Sequence, residues 1–290
     1  MKSMQGILLI NKDKGFTSHD VVALCRKHLG LKKIGHTGTL DPMARGVLPI
    51  LVGKATKISN YLMGQDKVYE GTMQFGYRTD TLDADGEILE VSPNKIFTEK
   101  DLLEAMKLFT GTIDQVPPMY SAIKIKGKKL YEYARQGQEV ERKTRQVEIY
   151  SFDLLDLSGD QISFRVSCSS GTYIRSLVDD LARELKSLAT LVDLNRVQVG
   201  NFSLDQCHSI SDLKEGKLSA RDLIPMDQGL DLEKIDIPDD YFNALMFGQS
   251  VPCSQSLDKE FKVYCKNQFV GIGISPYPGF IRINKCLLEM

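Results

Sequence analysis

Long apolar runs are missing from this 290-residue chain: none approaches the ~18 residues of a membrane-spanning helix, and the N-terminus lacks the basic-then-apolar layout of a secretory signal. A cytoplasmic protein with no membrane partner is the expectation. The six cysteines (Cys25, Cys168, Cys207, Cys253, Cys265 and Cys286) are scattered, with no Cys-x-x-Cys pair and no histidine nearby at ligand spacing. That argues against a disulfide frame or a zinc site and leaves reduced, mostly buried thiols. A strong charge of one sign is absent as well, since the net charge is −1, which argues against a protein that coats nucleic acid by bulk electrostatics. Gly53-Lys54-Ala55-Thr56 fails as a phosphate loop, because Leu48 stands where its first glycine belongs and Ala55 where Ser or Thr is required. Asp80, Asp83 and Asp85 before Gly86 resemble part of a calcium loop, yet its first and twelfth positions would be Thr81 and Ser92. A turn between two strands is the better expectation, and no metal or small-molecule cofactor is called for.

What the chain does have is organised around Gly35-His36-Thr37-Gly38-Thr39-Leu40-Asp41-Pro42. Pro42 pushes Asp41 away from helical dihedrals, and Gly35, Gly38 and Gly46 allow backbone angles that other residues avoid. An acid on such a loop is displayed. An ordinary surface turn has the same composition.

Around that loop the periodicities predict a short buried strand at Ile7–Ile10 and a helix opened by a Thr17/Asp20 capping box and stopped at Gly30. An edge or irregular strand containing Pro49 should follow at Val47–Val52. Over Lys67–Phe75, alternation sets Tyr69, Gly71, Met73 and Phe75 on one face. A second capping box, Thr98/Asp101, opens a helix with Leu102, Met106 and Phe109 on one side. Strands at Gln146–Phe152 and Gln161–Cys168 lead through Gly171-Thr172-Tyr173 into a helix carrying Ile174, Leu177, Val178, Leu181 and Leu185. Arg175 then falls in the first helical turn, where the dipole disfavours a cation by up to about 1 kcal/mol. A buried carboxylate would hold it there, since opposite charges ~4 Å apart attract by roughly 4 kcal/mol at an effective dielectric of 20. Asp179, one turn later, is the alternative partner.

Between Met119 and Arg145 eight basic residues (Lys124, Lys126, Lys128, Lys129, Arg135, Arg142, Lys143, Arg145) stand against three acidic ones, with Tyr120, Tyr131 and Tyr133 interleaved. Such a segment suits a polyanion with stackable bases, or is a solvated charged loop. Without a steady βαβ rhythm or any repeat, the element order predicts an α+β domain on a mostly antiparallel sheet over residues 1–224. A small β-rich module should follow over 225–290.

Seven blocks together resemble the TruB family of bacterial tRNA pseudouridine-55 synthases: Gly6–Lys12, Gly35–Pro42, Asp66–Tyr69, Arg78–Gly86, Met119–Ala122, Gly127–Gly137 and Gly171–Arg175. The resemblance implies the pseudouridine synthase fold, a mostly antiparallel mixed sheet flanked by helices and loops, with a PUA-like C-terminal module. It implies isomerisation of uridine-55 in the T arm of tRNA by flipping the base, with no cofactor, and nothing in the sequence demands more than a monomer. Asp41 falls on the family's nucleophile, Arg175 on the arginine paired with it and Tyr69 on the tyrosine that stacks on the base. His36 falls on the histidine that fills the place of the flipped uridine, and Tyr173 and Leu194 on further pocket contacts. Residues 119–145 correspond to an insertion that closes over the T stem-loop, making Lys124, Lys126, Lys128, Lys129, Arg135 and Arg142 candidates for RNA contact. Two other classes stand beside this one: a non-catalytic RNA-binding protein on the same scaffold, and a metal hydrolase built on Asp80, Asp83 and Asp85.

Overall fold

The structure, a computed structural model, describes residues 4–253 and 259–288. Its first strand, β1 (Gly6–Lys12), shows why the opening apolar run has no polar interruption. Leu8 and Ile10 join a core beneath the helices while Ile7 and Leu9 join a second core on the opposite face, so this strand is covered on both sides. Helix α1 (Ser18–Leu29) starts at the expected Thr17/Asp20 capping box and ends at Gly30 in the left-handed region.

Strands β2 (Ile34–His36) and β3 (Arg45–Val52) follow, so the glycine loop begins as strand. Contrary to the edge position expected from Pro49, β3 lies inside the sheet, paired along its length with β1 and in part with β2. The proline is tolerated because its carbonyl faces the β2 side, where Thr37 N–H donates to it at 3.1 Å. In a strand the nitrogen of a residue faces the same way as its carbonyl, so the ladder to β1 loses no donor.

After α2 (Ser59–Met63), β4 (Lys67–Phe75) alternates as predicted, every second residue from Lys67 to Phe75 being buried. A hairpin of β5 (Tyr77–Thr79) and β6 (Ile88–Val91) carries the aspartate turn. Helix α3 (Glu99–Leu108) has its Thr98/Asp101 box, and β7 (Gly111–Gln115) leads into the basic insertion. There β8 (Lys124–Ile125) and β9 (Lys128–Lys129) form a hairpin whose two loop residues, Lys126 and Gly127, both have positive φ, followed by α4 (Leu130–Ala134). The chain returns through β10 (Arg145–Ser158), β11 (Gln161–Cys168), α5 (Ile174–Glu184), β12 (Ala189–Val199), β13 (Phe202–Ser203), β14 (His208–Ser209) and α6 (Ile210–Lys214).

Ten strands make one mixed sheet in the order β14-β1-β3-β12-β4-β11-β10-β7, with β2 beside β3 and β13 beside β12. The pairs β1–β14 and β3–β12 are parallel and the others antiparallel. Helices α1, α3 and α5 cover one face through Val21, Cys25, Leu102, Met106, Leu177 and Leu181. From Ile224, which exchanges backbone hydrogen bonds with Ile7, the chain passes to a second sheet. It contains β15 (Glu233–Asp236), β16 (Val251–Pro252), β17 (Phe261–Cys265), β18 (Gln268–Ile274) and β19 (Phe280–Cys286), with α7 (Phe242–Met246) against it. This β-rich module has its own nucleus around Leu245, Val263, Val270 and Ile281. Ile272 and Leu287 nevertheless pack in one cluster with Ile7 and Leu9, so apolar contact ties the module to the back of the main sheet. The architecture is the expected α+β one. No helix among the described residues is long and apolar enough to cross a membrane.

Helix α5 also carries a half-buried Asp180 whose carboxyl is pushed up to about 6, first by burial and then by Asp179. With a folded value above the unfolded one, the folded state takes up a proton between pH ~4 and ~6, so stability falls as pH rises through that window. Asp180→Asn removes this fall. A two-unit shift corresponds to about 3 kcal/mol, and partial access of water reduces the expected gain at pH 7.5 to about 1 kcal/mol. Urea unfolding of both proteins at pH 4.5 and 7.5 checks this, and a difference that does not grow with pH refutes it.

Candidate active site

The loop between β2 and β3 is fixed at several points before it delivers Asp41. Thr37 is pinned to Pro49 as described, the Gly38 carbonyl accepts from Arg196 Nη2 at 3.3 Å, and Leu40 N–H donates to Ser18 Oγ at 2.9 Å. Beyond it the Pro42 carbonyl accepts from Gly15 N–H at 2.8 Å. Close approach of β3 to β12 depends on Gly46, where a Cβ would lie 2.2 Å from the Arg196 carbonyl oxygen and φ is +112°. Asp41 is thus held by a rigid frame and is not the tip of a loose surface turn.

Its carboxylate keeps 36% of its side-chain surface exposed, while the Arg175 side chain opposite is only 4% exposed, with Nη2 2.9 Å from Asp41 Oδ2. The carboxylate that compensates the unfavourable dipole is therefore Asp41, and not Asp179, which accepts from Arg78 at 2.7 Å and Arg183 at 3.1 Å. Arg175 has a second acid that sequence reasoning missed: Asp83 Oδ2 lies 3.4 Å from Nη1. The same guanidinium donates to the Thr81 carbonyl and, in the basic insertion, to the Tyr120 carbonyl, each at 2.9 Å. Burial pushes the Asp83 carboxyl up, against the Thr81 hydroxyl (2.6 Å) and Arg175, which favour its charged form. The aspartate turn is thereby committed elsewhere. Asp83 serves Arg175 and Asp80 accepts from Tyr120 Oη at 3.0 Å, and no cluster among the described residues is arranged to hold a metal ion.

Asp41, Arg175, Tyr69, Tyr173 and Leu194 line a single pocket of about 300 Å³. Tyr69 comes from the buried parity of β4, and burial raises its phenol. Tyr173 is the residue before α5. Gln115 grips its backbone, accepting from its amide at 2.7 Å and donating to its carbonyl at 3.0 Å. His36 does not line the pocket. It ends β2 with its ring edge-on to His19 (centroids 5.2 Å apart), and burial lowers its imidazole. The candidate RNA contacts Lys124, Lys126, Lys128, Lys129, Arg135 and Arg142 also lie outside the lining, to which the insertion contributes Ser121, Ala122 and, at its end, Arg145. Lys128 sits over the Tyr133 ring and Lys129 and Arg135 over that of Tyr131, so these tyrosines already face cations.

Lys67, Arg145 and Arg196 also line the pocket, and Lys12 lies close by with Nζ 3.5 Å from the Pro42 carbonyl; of the four, the sequence singles out only Arg145, as the last of the basic residues of 119–145. Lys67 had a readable signal, since it shares the parity of the buried residues of β4, whereas β1 is buried on both faces and its parity says nothing of Lys12. Both ammonium groups are pushed down to about 8, chiefly by burial. Lys12 Nζ donates to the Phe16 carbonyl at 2.7 Å, and Lys67 Nζ to those of Met63, at 2.7 Å, and Gln65. Arg196, 1% exposed, donates Nε to the Val47 carbonyl at 2.8 Å. Nothing local to Arg196 separates it from a surface arginine, and nothing local to Arg145 separates it from the other cations of the basic segment.

The site can hold a neutral planar group against Tyr69, present one ionisable acid to it, and surround the pair with positive charge. The model of the TruB family pseudouridylate synthases, N-terminal domain, matches residues 26–174 of this chain. The protein named tRNA pseudouridine synthase B from Caldanaerobacter subterraneus subsp. tengcongensis is 41% identical over 276 residues, 94% of this chain and 96% of its own length. Its namesake in Geobacillus thermodenitrificans is 47% identical over 248 residues, 81% and 82% of the two chains. Among solved structures, a chain of a Cbf5-Nop10-Gar1 complex superposes with a TM-score of 0.75 at 25% identity, covering 99% of this chain and 86% of that one.

Proposed function

Because the chain belongs to the TruB family of pseudouridylate synthases, we propose that the nucleoside it isomerises is uridine-55 in the T stem-loop of tRNA, with Asp41 as the nucleophile. It is a tRNA pseudouridine synthase, an isomerase that converts uridine in tRNA to pseudouridine. The observation that carries the choice of Asp41 is its pairing at 2.9 Å with a nearly inaccessible Arg175 while a third of its own surface stays open to the pocket. A nucleophile must be both held in place and accessible to its substrate, and Asp41 meets both conditions.

In this reading the target nucleotide leaves its stack and enters the pocket, at a cost of a few kcal/mol. Stacking on Tyr69 offsets that cost, base–aromatic contacts contributing about 1–3 kcal/mol each, with Tyr173 and Leu194 completing the walls. His36, on the strand that leads into the Asp41 loop, takes the place the uridine left. Asp41 attacks the nucleotide as the N1–C1′ bond breaks, the freed base turns, and C5 bonds to C1′ as the bond to Asp41 breaks and its carboxylate is released, while the C5 proton is lost and N1 gains one. Substrate and product have the same composition, so the chemistry asks for no redox partner or group donor. The insertion over 119–145 grips the stem-loop by shape and backbone, the 1–224 domain performs the reaction as a monomer in the cytoplasm, and the module over 225–290 adds a minor contact.

Incubation of the protein with a synthetic T stem-loop tests the assignment. Pseudouridine, a mass-neutral product located by carbodiimide-dependent stops of reverse transcription, is expected at position 55. Conversion at another uridine, or binding without conversion, overturns it.

A further inference from the structure

Among the described residues, four cationic side chains line the pocket, and three have their hydrogen bonds assigned. Arg175 is held by two carboxylates and two carbonyls, Lys67 by the carbonyls of Met63 and Gln65, and Arg196 by those of Val47 and Gly38. Arg145 has neither acid nor carbonyl, and its Nε and Nη2 are buried with no partner at all. An unsatisfied buried charge of this kind asks for a cause, because leaving such a group unpaired costs more than a made hydrogen bond returns.

The geometry around Arg145 shows what it is shaped for. Its guanidinium lies over the Tyr173 ring, 4.4 Å from the centroid, and Tyr173 is itself clamped by Gln115, the residue paired with Arg145 across β7 and β10. A cation–π contact takes up no N–H, so the Nε and Nη2 donors stay without a hydrogen-bond acceptor although both are enclosed. The Nε/Nη2 edge then offers two parallel donors in a fixed plane. Uracil does not match such a fork, since its pairing edge alternates acceptor, donor, acceptor and carries no charge. A phosphodiester matches it with two non-bridging oxygens and a full negative charge.

We propose that Arg145 is the phosphate receptor of the pocket, taking the two non-bridging oxygens of a phosphodiester that flanks the target uridine. The assignment rests on the reading of the pocket as the site where a tRNA uridine is isomerised. It places the receptor at the root of the basic insertion, where Arg145 begins β10 and lines the same pocket as Ser121 and Ala122, and a phosphate reaches the fork only once the side chains enclosing it give way.

Stem-loops carrying an uncharged methylphosphonate on the 5′ or the 3′ side of the target uridine test this on the wild-type protein, with Arg145→Lys and Arg145→Gln beside it. One of the two neutral linkages should weaken wild-type binding by about 10-fold or more and leave Arg145→Gln unaffected within about twofold, the coupling that defines a direct pair. With unmodified RNA, Arg145→Gln should lower the slope of log Kd against log salt by about 0.7–1, with its loss in KM rather than kcat and partial recovery in Arg145→Lys. Wild-type indifference to both linkages, equal sensitivity of wild type and Arg145→Gln, or a loss confined to kcat overturns the assignment, the last making Arg145 a brace for Tyr173. A wild-type chain that neither binds nor converts the unmodified stem-loop overturns the tRNA reading itself, and this assignment with it.

Discussion

Asp41→Asn is expected to bind a T stem-loop as tightly as the wild type, within about threefold, and to convert it at least about 10⁴-fold more slowly. The size of the loss follows from removing a nucleophile outright, for which deletions in other enzymes give about 10⁴ to 10⁶. Retained binding follows from the site: the amide has the volume of the acid, and Arg175 keeps Asp83 and the Thr81 and Tyr120 carbonyls as partners. Asparagine can still accept one hydrogen bond from the guanidinium, so stability should fall by about 1 kcal/mol. Slow reversion to aspartate does not blur the result, because the next residue, Pro42, has no amide hydrogen with which to form the cyclic imide that deamidation requires. Single-turnover conversion, filter binding and thermal unfolding on the same preparation measure the three quantities. A rate within about tenfold of wild type removes Asp41 from the chemistry, and a parallel loss of binding makes its role one of recognition.

What could be read in advance was what short-range rules govern. Thr17 and Thr98 announced their helices because a capping box depends on four consecutive residues, and β4 announced its buried face because parity needs only the strand. Arg175 could be flagged as anomalous, since a cation in a first helical turn is unfavourable whatever surrounds it. Its acid could not be found by the same route. Asp41 and Asp83 lie 134 and 92 residues away, and only the crossing of β3 beside β12 and the hairpin of β5 and β6 brings them to one guanidinium. Asp83 looked like turn chemistry, which it is, with Thr81 Oγ1 donating to it locally while its other oxygen serves the pocket. Pro49 misled for a related reason. The rule that proline avoids strand interiors concerns one missing donor, and here that donor points to where β2 ends. Arg196 carries no local mark and Arg145 only that of its basic segment, because their places in the pocket come from being enclosed, which is a property of the folded molecule.

Arg175→Lys should retain the fold and lower kcat by about 10² to 10³ while binding weakens less than tenfold, which separates the charge of this residue from its shape. The guanidinium meets four acceptors at once, Asp41 at 2.9 Å, Asp83 at 3.4 Å and the Thr81 and Tyr120 carbonyls at 2.9 Å each. A lysine offers three donors from a single nitrogen that cannot reach both sides of that arrangement. The positive charge still offsets the two carboxylates, so the fold survives, but Asp41 is no longer aimed, and misplacement by about 1 Å is enough to cost 10²-fold in rate. The bond to Tyr120 links that aim to the insertion, so the lysine variant should also make residues around Tyr120 more open to protease or to hydrogen exchange. Arg175→Met removes charge as well as shape and leaves two carboxylates facing each other in a largely buried site, where breaking a pair is expected to destabilise the protein by about 3–5 kcal/mol. Folding of the lysine variant without activity, beside poor folding of the methionine variant, is the outcome in which charge holds the structure and the fork serves catalysis. Equal activity of Arg175→Lys and wild type would mean that charge alone suffices, and that the four-way geometry has no part in positioning Asp41.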